Sequence, residues 1–183
     1  MGKPAIKWRA FHFERKSYDL SHLHPTTVTY VQAAKKGKPE HAYKVNVIFS
    51  LHCFTRGILE GETVDPKLFY GDGYETRLIE FQRYELSYRL PGIVGELMDR
   101  KCYHTGRTNY TTVELVSERH GIPAEYEIYF TDARASKIAI ELYVESAYMR
   151  DPEHMAGRPV RKAIGFAIIL FNVLNNRPVV APK

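Results

Sequence analysis

An α+β fold is what the sequence predicts: a mainly antiparallel sheet with helices packed on one face, its strands ending in a meander followed by a C-terminal helix. Three observations predict it. Residues 42–54, "AYKVNVIFSLHCF", alternate as a half-buried strand does. Three strand-like runs, 109–118, 124–132 and 136–148, follow one another across links as short as "RHGIP" and "ARA". The stretch "VRKAIGFAIILFNVLNN" (160–176) repeats its apolar residues at helical spacing.

The elements read in order as follows. "TTVTYVQAA" (26–34) is a strand, and "AAKKGKPEHA" carries the Lys, Gly and Pro of a hairpin-like link. In the strand over 42–54, Tyr43, Val45, Val47, Phe49, Leu51 and Cys53 share one face, the core face. His52 then points the other way, near the strand's end. Residues 56–75 are rich in turn formers and read as a long loop, long enough to suggest function or a cover. A helical stretch spans 76–101; Pro91 and Gly92 divide it, or Pro91 sits in the first turn of a second helix. "KCYHTGRTN" is a turn-rich link. In the strand over 136–148, Ile138, Ile140, Leu142, Val144 and Ser146 share one face. The polar loop "MRDPEHMAGRP" leads to the last helix, where Ile164, Ala167, Ile168, Phe171 and Leu174 form the apolar row and read as core.

At 183 residues the chain fits one domain, 1–183, with an N-terminal extension over 1–25 and an α+β core over 26–176. Hydrophobic residues at 44% and charged residues at 26% match an ordinary globular protein and argue against disorder. No apolar run spans a bilayer and no signal-peptide pattern opens the chain. Two cysteines, Cys53 and Cys102, are too few for a disulfide framework and lack metal-ligand spacing. A cytoplasmic protein with reduced thiols and no cofactor is the expectation. Net charge is +5, which attracts polyanions or is simply a basic, indifferent surface. The charge is uneven: residues 110–148 hold seven acidic and three basic side chains, which makes that segment a poor phosphate contact.

Phosphate-loop, dinucleotide and nucleophile-elbow motifs are absent from the sequence. Cys53 beside His52 is no catalytic pair, because neighbouring strand residues face opposite ways. Phosphodiester chemistry is one candidate among these residue types. Metal-free RNA cleavage needs a base, an acid and a donor for the charged intermediate, and histidine and arginine supply these. "HCFTR" offers His52, Thr55 and Arg56, while "VESAY" offers Ser146 and Tyr148. Arg77, Arg83 and Arg89 are further cations on the helical stretch. The ordinary reading of each is structural: a solvated pair or loop anchor, a strand end, surface helix pairs. Glu114, Glu125, Glu127, Glu141 and Glu145 alternate outward as an acidic face. That face is solvated, or holds a divalent cation, or lends one general base.

"FSLHCFTRG", followed by helices, a meander and "ESAY", resembles the barnase–EndoU–colicin–RelE superfamily of metal-independent ribonucleases, in its phage and mobile-element branch. The resemblance covers roughly residues 42–176. It implies RNA cleavage through a cyclic phosphate, with His52 as acid or base, Arg56 as phosphate clamp, and Ser146 and Tyr148 as hydroxyl partners. It also implies a toxin or defence role, with RNA as substrate and a cognate inhibitor protein or a second copy as partner. The alternative expectation is a non-enzymatic module that binds nucleic acid or protein through a tyrosine-rich sheet face; the chain holds 13 tyrosines, enough to line one.

Overall fold

A hairpin that the sequence does not announce lies near the N-terminus, where β1 (Phe11–Phe13) and β2 (Lys16–Tyr18) pair across Glu14 and Arg15. Both turn residues take positive φ, 46° and 65°. The structure is a computed structural model describing residues 5–35, 37, 39–106, 108–116, 123–150 and 161–180. Residues 119–122 of the predicted link and most of the polar loop before the last helix lie outside the described residues.

Strands β3 (Thr26–Gln32) and β4 (His41–Phe49) form the expected hairpin. The strand over 42–54 stops early, however. Ser50 caps a single 3-10 turn, Leu51–Cys53, by accepting the His52 N–H at 3.1 Å and donating to the Glu145 carbonyl. His52 therefore sits on a turn rather than at a strand's end. The predicted loop holds structure as well. β5 (Thr55–Arg56), β6 (Phe69–Gly71) and β7 (Thr76–Ile79) make a small antiparallel sheet in the order β5-β7-β6. The first four residues of the predicted helical stretch are thus a strand. The helix starts after Glu80, whose carboxylate caps Gln82 N, and divides as α1 (Phe81–Ser87) and α2 (Leu90–Gly95), with Pro91 in the first turn of the second.

The meander is β9 (Asn109–Val116), β10 (Pro123–Arg134) and β11 (Ala139–Met149), preceded by a short β8 (Cys102–His104) inside the predicted turn-rich link. β12 (Lys162–Ile164) and α3 (Phe166–Leu174) replace the single predicted last helix, with Gly165 between them. The large sheet has the order β12-β8-β9-β10-β11-β4-β3. Every pairing in it is antiparallel except β11 with β4, so the sheet is mixed within an α+β class. The chain crosses from β4 to β8, next to the far edge, and meanders back, and that long crossover is what permits the parallel pair.

Burial follows the predicted β4 face: Tyr43, Val45, Val47, Phe49, Leu51 and Cys53 are all buried. α3 departs from expectation. It buries Phe166, Ile169, Leu170 and Val173, with Phe166 against Tyr30 and Phe130, and leaves Ile168 and Phe171 exposed. Its segment is apolar all round, so spacing alone did not fix which stripe faces the sheet. Residues 8–23 belong to the core: Trp8, Phe11, Leu20 and Leu23 are buried, and the Trp8 edge meets the Phe54 ring at 5.2 Å.

Candidate functional site

A β-bulge decides where "ESAY" points. Ile128 pairs with Ala147 and Tyr129 with Ser146, but Phe130 pairs with Val144, so Glu145 is the extra residue. Ile140, Leu142 and Val144 face the core, the bulge resets the alternation, and Ala147 is buried in place of Ser146. Ser146 and Tyr148 are thereby sent to the other side, opposite Tyr129 and Glu127. Strict alternation had put Ser146 on the core face, and the bulge corrects it.

On that side four tyrosines from four adjacent strands form a row of tilted and stacked rings across the sheet. Tyr103, Tyr110, Tyr129 and Tyr148 follow with centroid separations of 5.1, 5.2 and 5.8 Å. Arg83 of α1 lies over the Tyr148 ring at 5.4 Å, and Arg161 over Tyr103 at 5.7 Å. The row is not an open platform, because Tyr110 is fully buried.

The acidic face is not uniformly solvated: Glu125, Glu141 and Glu145 are half-buried. Glu127 is fully buried, held by both Arg150 Nε (2.6 Å) and Nη2 (2.7 Å), and it accepts the Tyr129 hydroxyl at 2.7 Å. Burial and this hydrogen bond push the Tyr129 phenol far up. Glu125 pairs with Arg161 and Glu145 accepts from Thr131, while the Glu114 side chain lies outside the described residues. Among the described residues no group of acidic, histidine or cysteine side chains is placed to hold a metal.

His52, Thr55 and Tyr148 meet around two arginines. The His52 imidazole and Glu75 are 2.9 Å apart, and Arg77 donates to Glu75 at 2.7 Å and, through Nε, to the Thr55 hydroxyl at 3.0 Å. Thr55 itself is buried and donates to the Leu51 carbonyl. Arg83 Nη1 donates to the Thr55 and His52 carbonyls at 2.9 and 3.3 Å, which brings the turn and the Tyr148 ring to one guanidinium. Arg77, followed by the His52 hydrogen bond, holds the Glu75 carboxyl below its ordinary range. Burial first, then repulsion from Arg77, lowers the Arg83 guanidinium. Arg83 makes no ion pair among the described residues.

Arg56 belongs elsewhere. Its guanidinium is gripped by Glu62 and also reaches Glu80, so it is a loop anchor and not a free clamp. Ser146 makes no side-chain hydrogen bond among the described residues, and no hydrogen-bonded or ring contact ties it to His52. Sequence reasoning named Arg77 and Arg83 as further candidates on the helical stretch, with surface helix pairing the ordinary reading of Arg83, and missed Glu75. A signal existed in "GDGYE": Asp72 accepts the Tyr74 and Glu75 N–H groups, and Gly73 takes φ 92°, a turn that presents Glu75 toward His52.

Burial pushes both the Cys53 and Cys102 thiols up to about 12, so neither is a thiolate at neutral pH. In native protein neither is expected to react with a disulfide reagent on the minute timescale, and both should react once the chain is unfolded in guanidinium. Fast native labelling of either would contradict that burial.

Compared with known proteins, residues 10–174 match the YjaZ family. The chain is 32% identical over 187 residues to "Protein YjaZ" of Escherichia coli strain K12, covering 100% of this chain and 99% of that protein. No solved structure matches. The full-length match overturns the resemblance to the barnase–EndoU–colicin–RelE superfamily. That resemblance rested on element order and two short motifs, and the structure adds β8, β12 and the small sheet to that order while moving His52 off its strand.

Proposed function

The chain belongs to the YjaZ family, and within that family we propose that it is a non-enzymatic module binding single-stranded nucleic acid, with RNA the expected class, at the Arg77–Arg83–Tyr148 corner. The observation that carries this reading is Arg83. It is a half-buried guanidinium next to a second guanidinium, with no carboxylate paired to it among the described residues, and it lies over a half-buried tyrosine at the end of a stacked row. A charge partly removed from water beside a like charge is costly unless an anion completes it. Guanidinium and aromatic side chains together supply the phosphate contact and the stacking surface that single strands use. His52 at the rim adds a cation when protonated. The net charge of +5 adds long-range attraction.

Cleavage is the second reading, favoured by the His52–Glu75 contact, which could serve one proton transfer. The binding reading is preferred because Thr55 and Arg56, two of the other proposed participants, are committed to internal partners.

The test is fluorescence anisotropy with a labelled single-stranded RNA in EDTA, across a salt series. The wild type should bind with a steep salt dependence. Arg83→Gln should bind at least about tenfold more weakly, roughly 1.4 kcal/mol, and Arg83→Lys should recover only part because it loses the planar fork. His52→Ala, at the rim of the corner, should weaken binding much less than Arg83→Gln does. No binding by folded wild type at low salt would sink the proposal. RNA cut in EDTA by wild type and not by His52→Ala would replace binding by cleavage.

A further inference from the structure

At the opposite end of the β10–β11 hairpin from Tyr148, a cleft of about 510 Å³ opens between the ends of β8, β9 and β10 and the chain leaving α3. That volume lies within the range of small-ligand sites. Three side chains from three strands form a hydrogen-bonded chain in its wall. Asn109 Nδ2 donates to Asp132 Oδ2 at 3.2 Å, and the Asn109 carbonyl oxygen is 2.9 Å from His104 Nδ1. With the amide group directed to Asp132, the Asn109 oxygen accepts, so His104 Nδ1 carries a proton. His104 and Asn109 are both buried.

The far oxygen of Asp132 has no partner. Its Oδ1 is sealed from solvent and unbonded, and among the described residues no cation pairs with the carboxyl. Burial raises this carboxyl to about 7, with the Asn109 hydrogen bond opposing. The groups facing it are the Tyr30 phenol from β3, which donates to the Val94 carbonyl, and the Cys102 thiol and His104 from β8. Neither Tyr30 nor Cys102 supplies a positive charge near neutrality. Two guanidiniums line the cleft above: Arg134 just beyond Asp132, and Arg177 after α3, which rests on the Phe171 ring at 5.3 Å. Arg134 bonds only the Ser136 carbonyl, and neither arginine is ion-paired among the described residues. Asn176 takes φ 55° and the Arg177 N–H closes on the Asn172 carbonyl at 2.8 Å, which fixes the backbone that carries Arg177.

We propose that this cleft is a binding site for a small oxyanion, such as a carboxylate- or sulfate-like group on a metabolite, held between Arg134 and Arg177 above the His104–Asn109–Asp132 wall. The fork of each guanidinium suits a two-oxygen anion. Asp132 sets when the site accepts one. As the neutral acid it leaves the two positive charges unopposed. As the carboxylate it places a negative charge beneath the anion.

The sign of the pH effect follows. An anion that binds the protonated form better is held tightly below about pH 7 and released as pH rises through it. Sulfate is the probe, because its own charge does not change in this range. Its titration is followed through the amide and side-chain NMR signals of His104 and Asn109. Wild type should bind about three- to tenfold more weakly at about pH 8 than at about pH 6. Asp132→Asn, which mimics the neutral acid, should bind at about pH 8 as well as wild type does at about pH 6, with little pH dependence. Arg177→Gln and Arg134→Gln, both at exposed positions, should each bind at least about tenfold more weakly. Wild type that shows no shift with sulfate, or binds it more tightly as pH rises, overturns the proposal. So does a pH dependence that persists in Asp132→Asn, which would show that Asp132 does not control the site.

Discussion

Arg150→Met should lower the unfolding free energy by about 3–5 kcal/mol, the cost of leaving a buried carboxylate without its cation. For a chain of this size that corresponds to a fall of roughly 6–20 °C in Tm. The expectation rests on Glu127, which has 0% exposure and receives two Arg150 donors at 2.6 and 2.7 Å and the Tyr129 hydroxyl at 2.7 Å. Glu127→Gln removes the charge and keeps most of the shape, so it should cost less than Arg150→Met. The double variant Glu127→Gln/Arg150→Met should recover part of the loss, because the charge that needed Arg150 is gone. A double-mutant cycle in urea isolates that coupling, and about 1–3 kcal/mol is expected. An Arg150→Met protein within about 1 kcal/mol of wild type would mean that the pair is solvated in solution. The tyrosine row is part of the same device, since Tyr129 stacks between Tyr110 and Tyr148 while its hydroxyl bonds Glu127.

The second large effect is expected at the N-terminal segment. Trp8→Ala should cost about 3–5 kcal/mol, the range for truncating a buried aromatic, with up to about 1 kcal/mol of it from one lost hydrogen bond. Trp8 is 5% exposed, its indole N–H donates to the Phe49 carbonyl at 3.2 Å, and its ring meets Phe54 and Tyr70. Phe49 is the last residue of β4 and Phe54 follows the turn that carries His52, so Trp8 braces the corner where Arg83 and Tyr148 meet. Trp8→Phe should keep ring packing, lose the hydrogen bond and fall between wild type and alanine. Urea unfolding monitored by circular dichroism checks this, with an unchanged m-value as the sign that only stability moved. If Trp8→Ala unfolds at the wild-type midpoint, residues 8–23 are a dispensable flap and not part of the core.

These two sites show how unevenly the sequence could be read. The buried face of β4 was legible because Tyr43, Val45, Val47 and Phe49 recur at every second position. The meander was legible from three alternating runs and short links. The division of the helical stretch near Pro91 was legible because proline fits a first helical turn and not an interior. In α3 the pattern was too apolar to carry phase, and tertiary packing chose Phe166, Ile169, Leu170 and Val173 over Ile168 and Phe171.

The candidate site was legible in its residue types and not in its partnerships. His52, Thr55, Tyr148 and the two arginines were all visible, yet what each one bonds depends on residues far away in the chain. Glu75 reaches His52 only because a loop folds into the β5-β7-β6 sheet, and Arg56 is withdrawn only because Glu62 returns to it. The sequence by itself determined the α+β class, the buried face of β4 and the supply of charged and aromatic side chains, because local alternation and turn chemistry act within a few residues. The tertiary structure alone decided the parallel β11–β4 pair, the bulge that turns Ser146 and Tyr148 outward, the burial of Glu127 beneath Arg150 and the wall of His104, Asn109 and Asp132, because each depends on strands brought together across a long crossover or on a one-residue slip that no local pattern encodes.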